Sequence, residues 1–447
     1  MRANAFLRTI ATGLKWFLLA IGVLLAALWA INAFDETTNP EIAVFIGKQH
    51  EAVKDEDNAY FSVIGLTAPS GKDIREAGES RFRRYESFRK SHPRAEQLDL
   101  QFLIGPDTLG FKGDDPDVWL YLDPESCVAN RASCPSDNGV RSLVAANDEL
   151  LRRYLTLYKY PRFYDTAYVF SGYVELIQVN KLLAARAMLD AKSGRLGRAL
   201  ESLGENLRFL RRTLKDHHGF VTNASLQVAF GFTAGTLTEL VHLYPNAVEM
   251  RAFPRDAIEP EGEPACNLSA AYADELEGLA EYLRQPLNVE RDGGLGGAFM
   301  GFLIRHFLKV NASHNYFYER IRQQLAVFAA PDEEFRSKLE AYERRYTERF
   351  SWDLAYNPVG KLVLMRHAGF MESQGHCRAL TGLLRLASLQ FGIHKEHIAD
   401  ADIPKFISAS GPKYANPLTG KPMQWNEKER QLVMLGTDGD RYLSVRL

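Results

Sequence analysis

The sequence predicts a mostly α-helical protein. A single N-terminal transmembrane helix is followed by an irregular helical bundle and a small C-terminal β-hairpin module. Three observations lead there. An uncharged apolar run fills residues 16–34. From about residue 141 to 393, apolar residues recur at helical spacing. The last ~45 residues change to short alternating runs separated by turn residues.

The N-terminal run comes first. Its ~19 residues, at about 1.5 Å each, make a helix close to the ~30 Å hydrocarbon thickness. Asn32 is its one strongly polar side chain and lies near the far end. Arg2, Arg8 and Lys15 precede the run, and Asp35 and Glu36 follow it. That asymmetry keeps residues 1–15 cytoplasmic and sends the rest of the chain outside. A cleaved signal peptide is the competing reading. Its core would be shorter and would end in small residues, and Ile31, Asn32 and Ala33 make a poor site. A type IV prepilin signal needs a Gly-Phe junction before a Glu-bearing run, and the sequence has neither. Residues 295–304 form the next best apolar stretch, which is too short to span. One span is expected, with the bulk of the chain outside the cytoplasm.

Composition narrows the classes further. Hydrophobic residues at 46% and charged residues at 25% exclude a disordered chain and a multi-span transporter. Lys and Arg number 54 against 56 Asp and Glu, a net charge of −2, so no positive field recruits nucleic acid. The four cysteines suit an oxidising compartment. Cys127 and Cys134 are close enough to bridge locally, which by elimination pairs Cys266 with Cys377. Free buried thiols are the alternative. Zinc is disfavoured because there is no CxxC pair, and His376 beside Cys377 adds only one donor.

Residues 35–140 read as a mixed, irregular lead-in, broken by prolines and carrying a solvated acidic loop before Cys127. Residues 141–395 read as the helical body. Leu143, Leu150, Leu151, Tyr154 and Leu157 share one helix face. Phe335, Leu339, Tyr342, Tyr346 and Phe350 form a clear stripe, with Asp332 placed as its N-cap. Across residues 182–214, Ala187, Gly194 and Ala199 suit one close-packed αα-hairpin, and no second copy follows at a 34-residue period. In the tail, residues 396–447, the runs 421–425, 431–435 and 441–446 read as strands. Pro417-Leu-Thr-Gly420, before the first run, and Asp438-Gly-Asp440, between the last two, read as turns.

The tail motif "NPLTGKPMQW…VMLGTDGD", after the helix Arg378-Ala-Leu-Thr-Gly-Leu-Leu-Arg-Leu-Ala, resembles a C-terminal module of bacterial envelope proteins. It is also similar to the turn-rich tail of type II secretion pseudopilins, which implies Asp438 and Asp440 as calcium ligands. The whole chain, with its anchor and Cys127/Cys134 loop, resembles a proteobacterial family of single-span envelope proteins. That resemblance implies a compartment and not a chemistry.

Motifs for chemistry are sparse. There is no nucleophile elbow, no phosphate-binding loop, no HExxH and no dinucleotide fingerprint. Glu372 and His376, four apart, are weak candidates for a carboxylate-oriented base. His394 and His397, with Asp400 and Asp402 nearby, are weak metal candidates, against which stands an ordinary helix end. No cofactor is expected. Aromatic residues crowd residues 154–173. Tyr160, Phe163, Tyr164, Tyr168 and Tyr173 are the candidates for a ligand-binding surface, against which stands a buried aromatic joint. A glycine-rich stretch, 293–301, opens an apolar helix that suits a buried core or a bilayer surface. The expected function is a membrane-tethered binding or scaffold protein of the cell envelope, with an envelope protein or glycan as partner. An envelope hydrolase acting on a glycan or lipid is the alternative.

Overall fold

A computed structural model describes residues 2–49, 53–91, 109–113, 122, 135–165, 173–216, 219–247, 253–260, 265–284, 295–347, 355–365 and 370–447. Among the described residues there are 17 α-helices and one three-stranded sheet. The early helices are α1 (Arg2–Ile31), α2 (Pro40–Gln49), α3 (Tyr60–Ile64), α4 (Ile74–Ser91), α5 (Asp137–Ala146) and α6 (Asp148–Leu155). Next come α7 (Tyr173–Lys192), α8 (Leu196–Thr213), α9 (Phe220–Leu243), α10 (Arg255–Ile258) and α11 (Ser269–Arg284). The last are α12 (Leu295–Phe307), α13 (Val310–Phe328), α14 (Asp332–Thr347), α15 (Pro358–Met365), α16 (Phe370–Lys395) and α17 (Ile403–Ala409). The strands are β1 (Gln424–Asn426), β2 (Gln431–Leu435) and β3 (Arg441–Arg446).

The chain forms two compact units, and neither is contiguous in sequence. The first comprises Met1–Lys48, Ala273–Ala326 and Glu340–Met371, and the second Gln49–Tyr272, Val327–Leu339 and Glu372–Leu447.

In the first unit, α1 contains twenty residues, Thr12–Ile31, that are long and apolar enough to cross a membrane, and none of that stretch is buried. Helix α13 is the hub of the rest. His314 meets the carbonyl of Leu276 in α11 at 2.9 Å, and Arg320 donates to the carbonyl of Leu364 in α15 at 3.0 Å. Gln324 donates to the hydroxyl of Tyr342 in α14 at 2.8 Å. The Tyr318 ring packs, tilted by 57°, against Phe45 of α2 with the centroids 5.8 Å apart.

In the second unit, α7, α8 and α9 pack on one another. Leu182, Leu183, Leu203, Leu207, Phe230 and Leu237 are among their fully buried side chains. The expected αα-hairpin is α7–α8. Gly194 turns it at φ +76°, a left-handed conformation that costs glycine nothing. Ala187 and Ala199 are buried in it. A polar clasp ties this core together. Asn206 donates to Asn180 at 2.8 Å and to Thr233 at 2.7 Å, and accepts from Tyr154 and Tyr158, both at 2.8 Å. The buried amide is thereby satisfied and not left to destabilise the core.

A disulfide joins Cys266, before α11, to Cys377 in α16, with the α-carbons 5.7 Å apart and the two residues 111 positions apart in sequence. Bridges of this kind contribute on the order of 2–4 kcal/mol by restricting the unfolded chain. Cys127 and Cys134 lie outside the described residues. The tail is an antiparallel sheet in the order β1-β2-β3. Leu432 and Met434 face inward. Gln390 of α16 donates to the carbonyls of Arg446 at 2.7 Å and Thr238 at 2.9 Å, so one amide holds sheet, α16 and α9.

Within residues 35–140, read from the sequence as a mixed lead-in, the described residues include α2, α3 and α4. Pro40 opens α2 at its first position, where a missing N–H costs nothing. The apolar period of α4 is masked because an arginine points inward: Arg81 is buried and donates to the Ile64 carbonyl at 2.7 Å and to Thr67 at 2.9 Å. Helices α3 and α4 meet at two glycines. A Cβ on Gly78 would stand 1.7 Å from the Phe61 carbonyl oxygen, and one on Gly65 would stand 1.7 Å from that of Ile74. Backbone atoms yield little, so Gly78→Ala is expected to destabilise by about 1–3 kcal/mol. Thermal unfolding of the detergent-solubilised protein checks this, and an unchanged midpoint would refute so close an approach.

Candidate functional site

The aromatic segment is the first candidate. Tyr160, Phe163, Tyr164 and Tyr173 are each 1–6% exposed, so they form no open face. Tyr168 lies outside the described residues. Partners from other segments hold the strip. Asn58 donates to the Tyr164 carbonyl at 2.9 Å and accepts from the Tyr164 amide at 2.8 Å. Asp216 accepts from the Phe163 amide and from Arg162, both at 2.8 Å. The Tyr160 hydroxyl pairs with Ser62 at 2.8 Å. At these four positions the expected binding surface is instead a buried joint, because the rings are covered and the three tyrosine hydroxyls are bonded within the protein, to Ser62, to the Gln49 carbonyl and to Asp165.

Beside that joint sits a buried carboxylate. Asp165 accepts from the Tyr173 hydroxyl at 2.7 Å and from Thr222 at 2.5 Å. Burial, and then the charge on Asp165, push the Tyr60 hydroxyl well above its ordinary range. Burial also raises Asp216, against the opposing pull of the Phe163 amide and Arg162. Through Tyr173 and Thr222, Asp165 ties the first turn of α7 to that of α9.

The second candidate was not singled out by the sequence. Asp332 was read as a helix N-cap, but the first turn of α14 folds its amides onto the Pro331 carbonyl. The carboxylate instead receives two buried arginines of α16, Arg378 at 2.9 Å and Arg385 at 2.5 Å. Arg378 also donates to the carbonyls of Pro417, Phe328 and Ala330, and its guanidinium lies 4.0 Å from the Phe335 ring centroid. Arg385 reaches the Ala415 carbonyl at 2.6 Å. The Nε atoms of both arginines are buried without a partner. Two guanidiniums share one carboxylate, which leaves a local excess of one positive charge. They line a cavity of about 350 Å³ with Thr381, Lys413 and Pro417. Its chemistry suits a small anionic group, a carboxylate or a phosphate.

The remaining candidates are dispersed. His376 is exposed on α16, and the side chain of Glu372 lies outside the described residues. The metal reading of His394 and His397 assumed a shared helix face, but α16 ends at Lys395. His397 takes φ +52°, and the Ile398 amide reaches back to the Ile393 carbonyl at 3.0 Å, the closure of a left-handed helix cap. His394 is half-buried, and burial together with His242, Arg430 and His397 lowers its pKa. In the tail, Asp438 accepts from the Asp440 amide at 3.0 Å and Gly439 sits at φ +94°, so the Asp-Gly-Asp segment forms its own turn. Among the described residues no group of three or more His, Cys, Asp or Glu side chains gathers for a metal.

The third candidate is the junction at the end of α1. Asn32 is buried; it donates to the Ala355 carbonyl and accepts from the Asn357 amide, both at 2.8 Å. Asn357, at φ +54°, passes the connection on. Its Oδ1 accepts from the Lys309 amide at 2.9 Å, and its Nδ2 donates to Ser313 at 2.9 Å. Asp35 caps α13 by accepting from the Asn311 and Ala312 amides, both at 3.0 Å, which also places a negative charge at that helix's positive end. Asn315 binds Glu36 and the Asn39 amide. The end of α1 is therefore clamped, not tethered by a flexible linker. No family model, curated protein or solved structure matches the chain.

Two measurements follow. Asp332→Ala strands two buried guanidiniums and is expected to destabilise by about 3–5 kcal/mol in thermal unfolding. A loss below about 1 kcal/mol would mean that the carbonyls alone hold them. His394 has a lowered pKa in the folded state, so its stability contribution is present above the ordinary histidine pKa and is lost as pH falls. Between about pH 7.5 and 5.5 the melting temperature of the wild type should fall more steeply than that of His394→Gln. Parallel curves would remove His394 from the pH response.

Proposed function

We propose that the chain is a single-pass protein of the bacterial inner membrane whose body works in the periplasm as a binding or scaffold element of the cell envelope. The observation that carries this reading is the clamp on α1. A run of membrane-spanning length ends in Asn32, Asp35 and Glu36, and all three bind the folded first unit directly. Such a clamp suits a body that must be held at a fixed height and angle to the bilayer. The basic residues before the run and the acidic residues after it favour the outward topology. The Cys266–Cys377 bridge suits an oxidising compartment.

The arginine-lined cavity supports a binding role, with an anionic group of an envelope glycan or protein as the ligand chemistry. A hydrolase would need Glu372 and His376 to meet a nucleophile, and the exposed position of His376 does not favour that.

A reporter fused after Leu447 tests the topology. Alkaline phosphatase is expected to be active there and green fluorescent protein dark, with the protein resisting alkaline extraction from membranes. Non-reducing peptide mapping of the same material should recover Cys266 linked to Cys377. A fluorescent fusion in the cytoplasm, or release by alkali, would overturn the reading.

A further inference from the structure

We propose that α12 and α15 lie in the bilayer surface, seated at the boundary of headgroups and acyl chains beside the exit of α1. This rests on α1 being a membrane span.

The first support is exposure. Helix α12 is mostly apolar yet has no buried side chain among those described. Phe302 is 50% exposed, and Leu303, Ile304 and Phe307 are half-buried. In α15, Leu362 is 57% exposed and Val359 and Val363 are half-buried. Leucines of α7 and α8 in the second unit, by contrast, are exposed by 4% or less. The two helices pack together, so Phe302 and Leu362 stand on neighbouring elements. A water-facing surface does not gather such residues without an occupant.

The second support is position. Asn357 immediately precedes α15, and its Oδ1 holds the amide of Lys309, two residues past α12. The amide of Asn357 in turn binds Asn32, the residue after α1. One end of each helix is thus fixed at the depth where α1 leaves the hydrocarbon.

The third support is direction and charge. No residue of α1 from Thr12 to Ile31 is buried, and only Leu28, near its end, is partly covered, which leaves the span without a helix packed along its length. At 13 residues, α12 is also too short to span. What is left is a path along the membrane plane. Arg305 and Lys309 interrupt the apolar sequence with long cationic side chains, a pattern that suits the level of the lipid phosphates.

The test uses the full-length protein in vesicles of phosphatidylethanolamine and phosphatidylglycerol that contain a phospholipid with a photoreactive acyl chain. After irradiation and digestion, lipid adducts are mapped by mass. Adducts are expected on α1 and on the α12 and α15 peptides. In the double variant Phe302→Glu with Leu362→Glu, adducts on α12 and α15 should fall at least about fivefold while those on α1 persist. Both residues are exposed, so folding should survive, and the wild-type map stands on its own. Adducts on α1 with none on α12 or α15 would overturn this proposal and leave the anchor intact. Adducts nowhere would overturn both. Cross-links between two copies through α12, in place of lipid, would assign the surface to self-association and also overturn it.

Discussion

The side-chain amide of Asn357 is the constraint on which the first unit depends. It is fully buried and held in a left-handed backbone conformation. Its backbone amide binds Asn32, its Oδ1 binds the amides of Lys309 and Gly360, and its Nδ2 binds Ser313. A buried amide left unpaired costs on the order of 1–3 kcal/mol, so each partner has a reason to stay. The space around it is closed as well. A Cβ on Gly360 would lie 2.0 Å from the Ser313 hydroxyl. The ends of α1, α12, α13 and α15 therefore share one small polar knot, and the apolar lengths of those helices are free to serve other surfaces.

The second unit repeats this logic in a different chemistry. Its helices bury leucine faces that are nearly interchangeable, and a few polar residues choose the arrangement. Asn206 fixes α7, α8 and α9. Gln390 fixes the sheet, and Arg378 and Arg385 fix the chain turns at 328–332 and 415–417 through Asp332 and backbone carbonyls. Hydrophobic burial supplies most of the stability, and these directional contacts supply register.

Local patterns were legible in the sequence wherever they follow from local physics. Strands β2 and β3 fall on the alternating runs, the α7–α8 hairpin on its small residues, and α14 on its aromatic stripe. The single span-length run was also visible from composition alone. Contacts between distant segments were not. Asp332 looked like a cap because its arginine partners sit 46 and 53 residues later. Tyr160 and Tyr164 looked like a surface because their partners lie before residue 63, in a region read as irregular. His397 looked like a helix residue because a left-handed cap is usually glycine. The candidate site was legible least of all, since Asn32 and Asn357 carry no motif and meet only in the fold.

The pairing of Asn32 with Asn357 also sets a clock for biogenesis. The two residues are 325 apart. At about 5–20 residues per second, the ribosome adds Asn357 on the order of 16–65 s after Asn32. The apolar run emerges at once, but the collar around its end stays open until nearly four-fifths of the chain has been made. The segment that arrives first is thus locked late, and the first unit is completed from the C-terminal side back to the start.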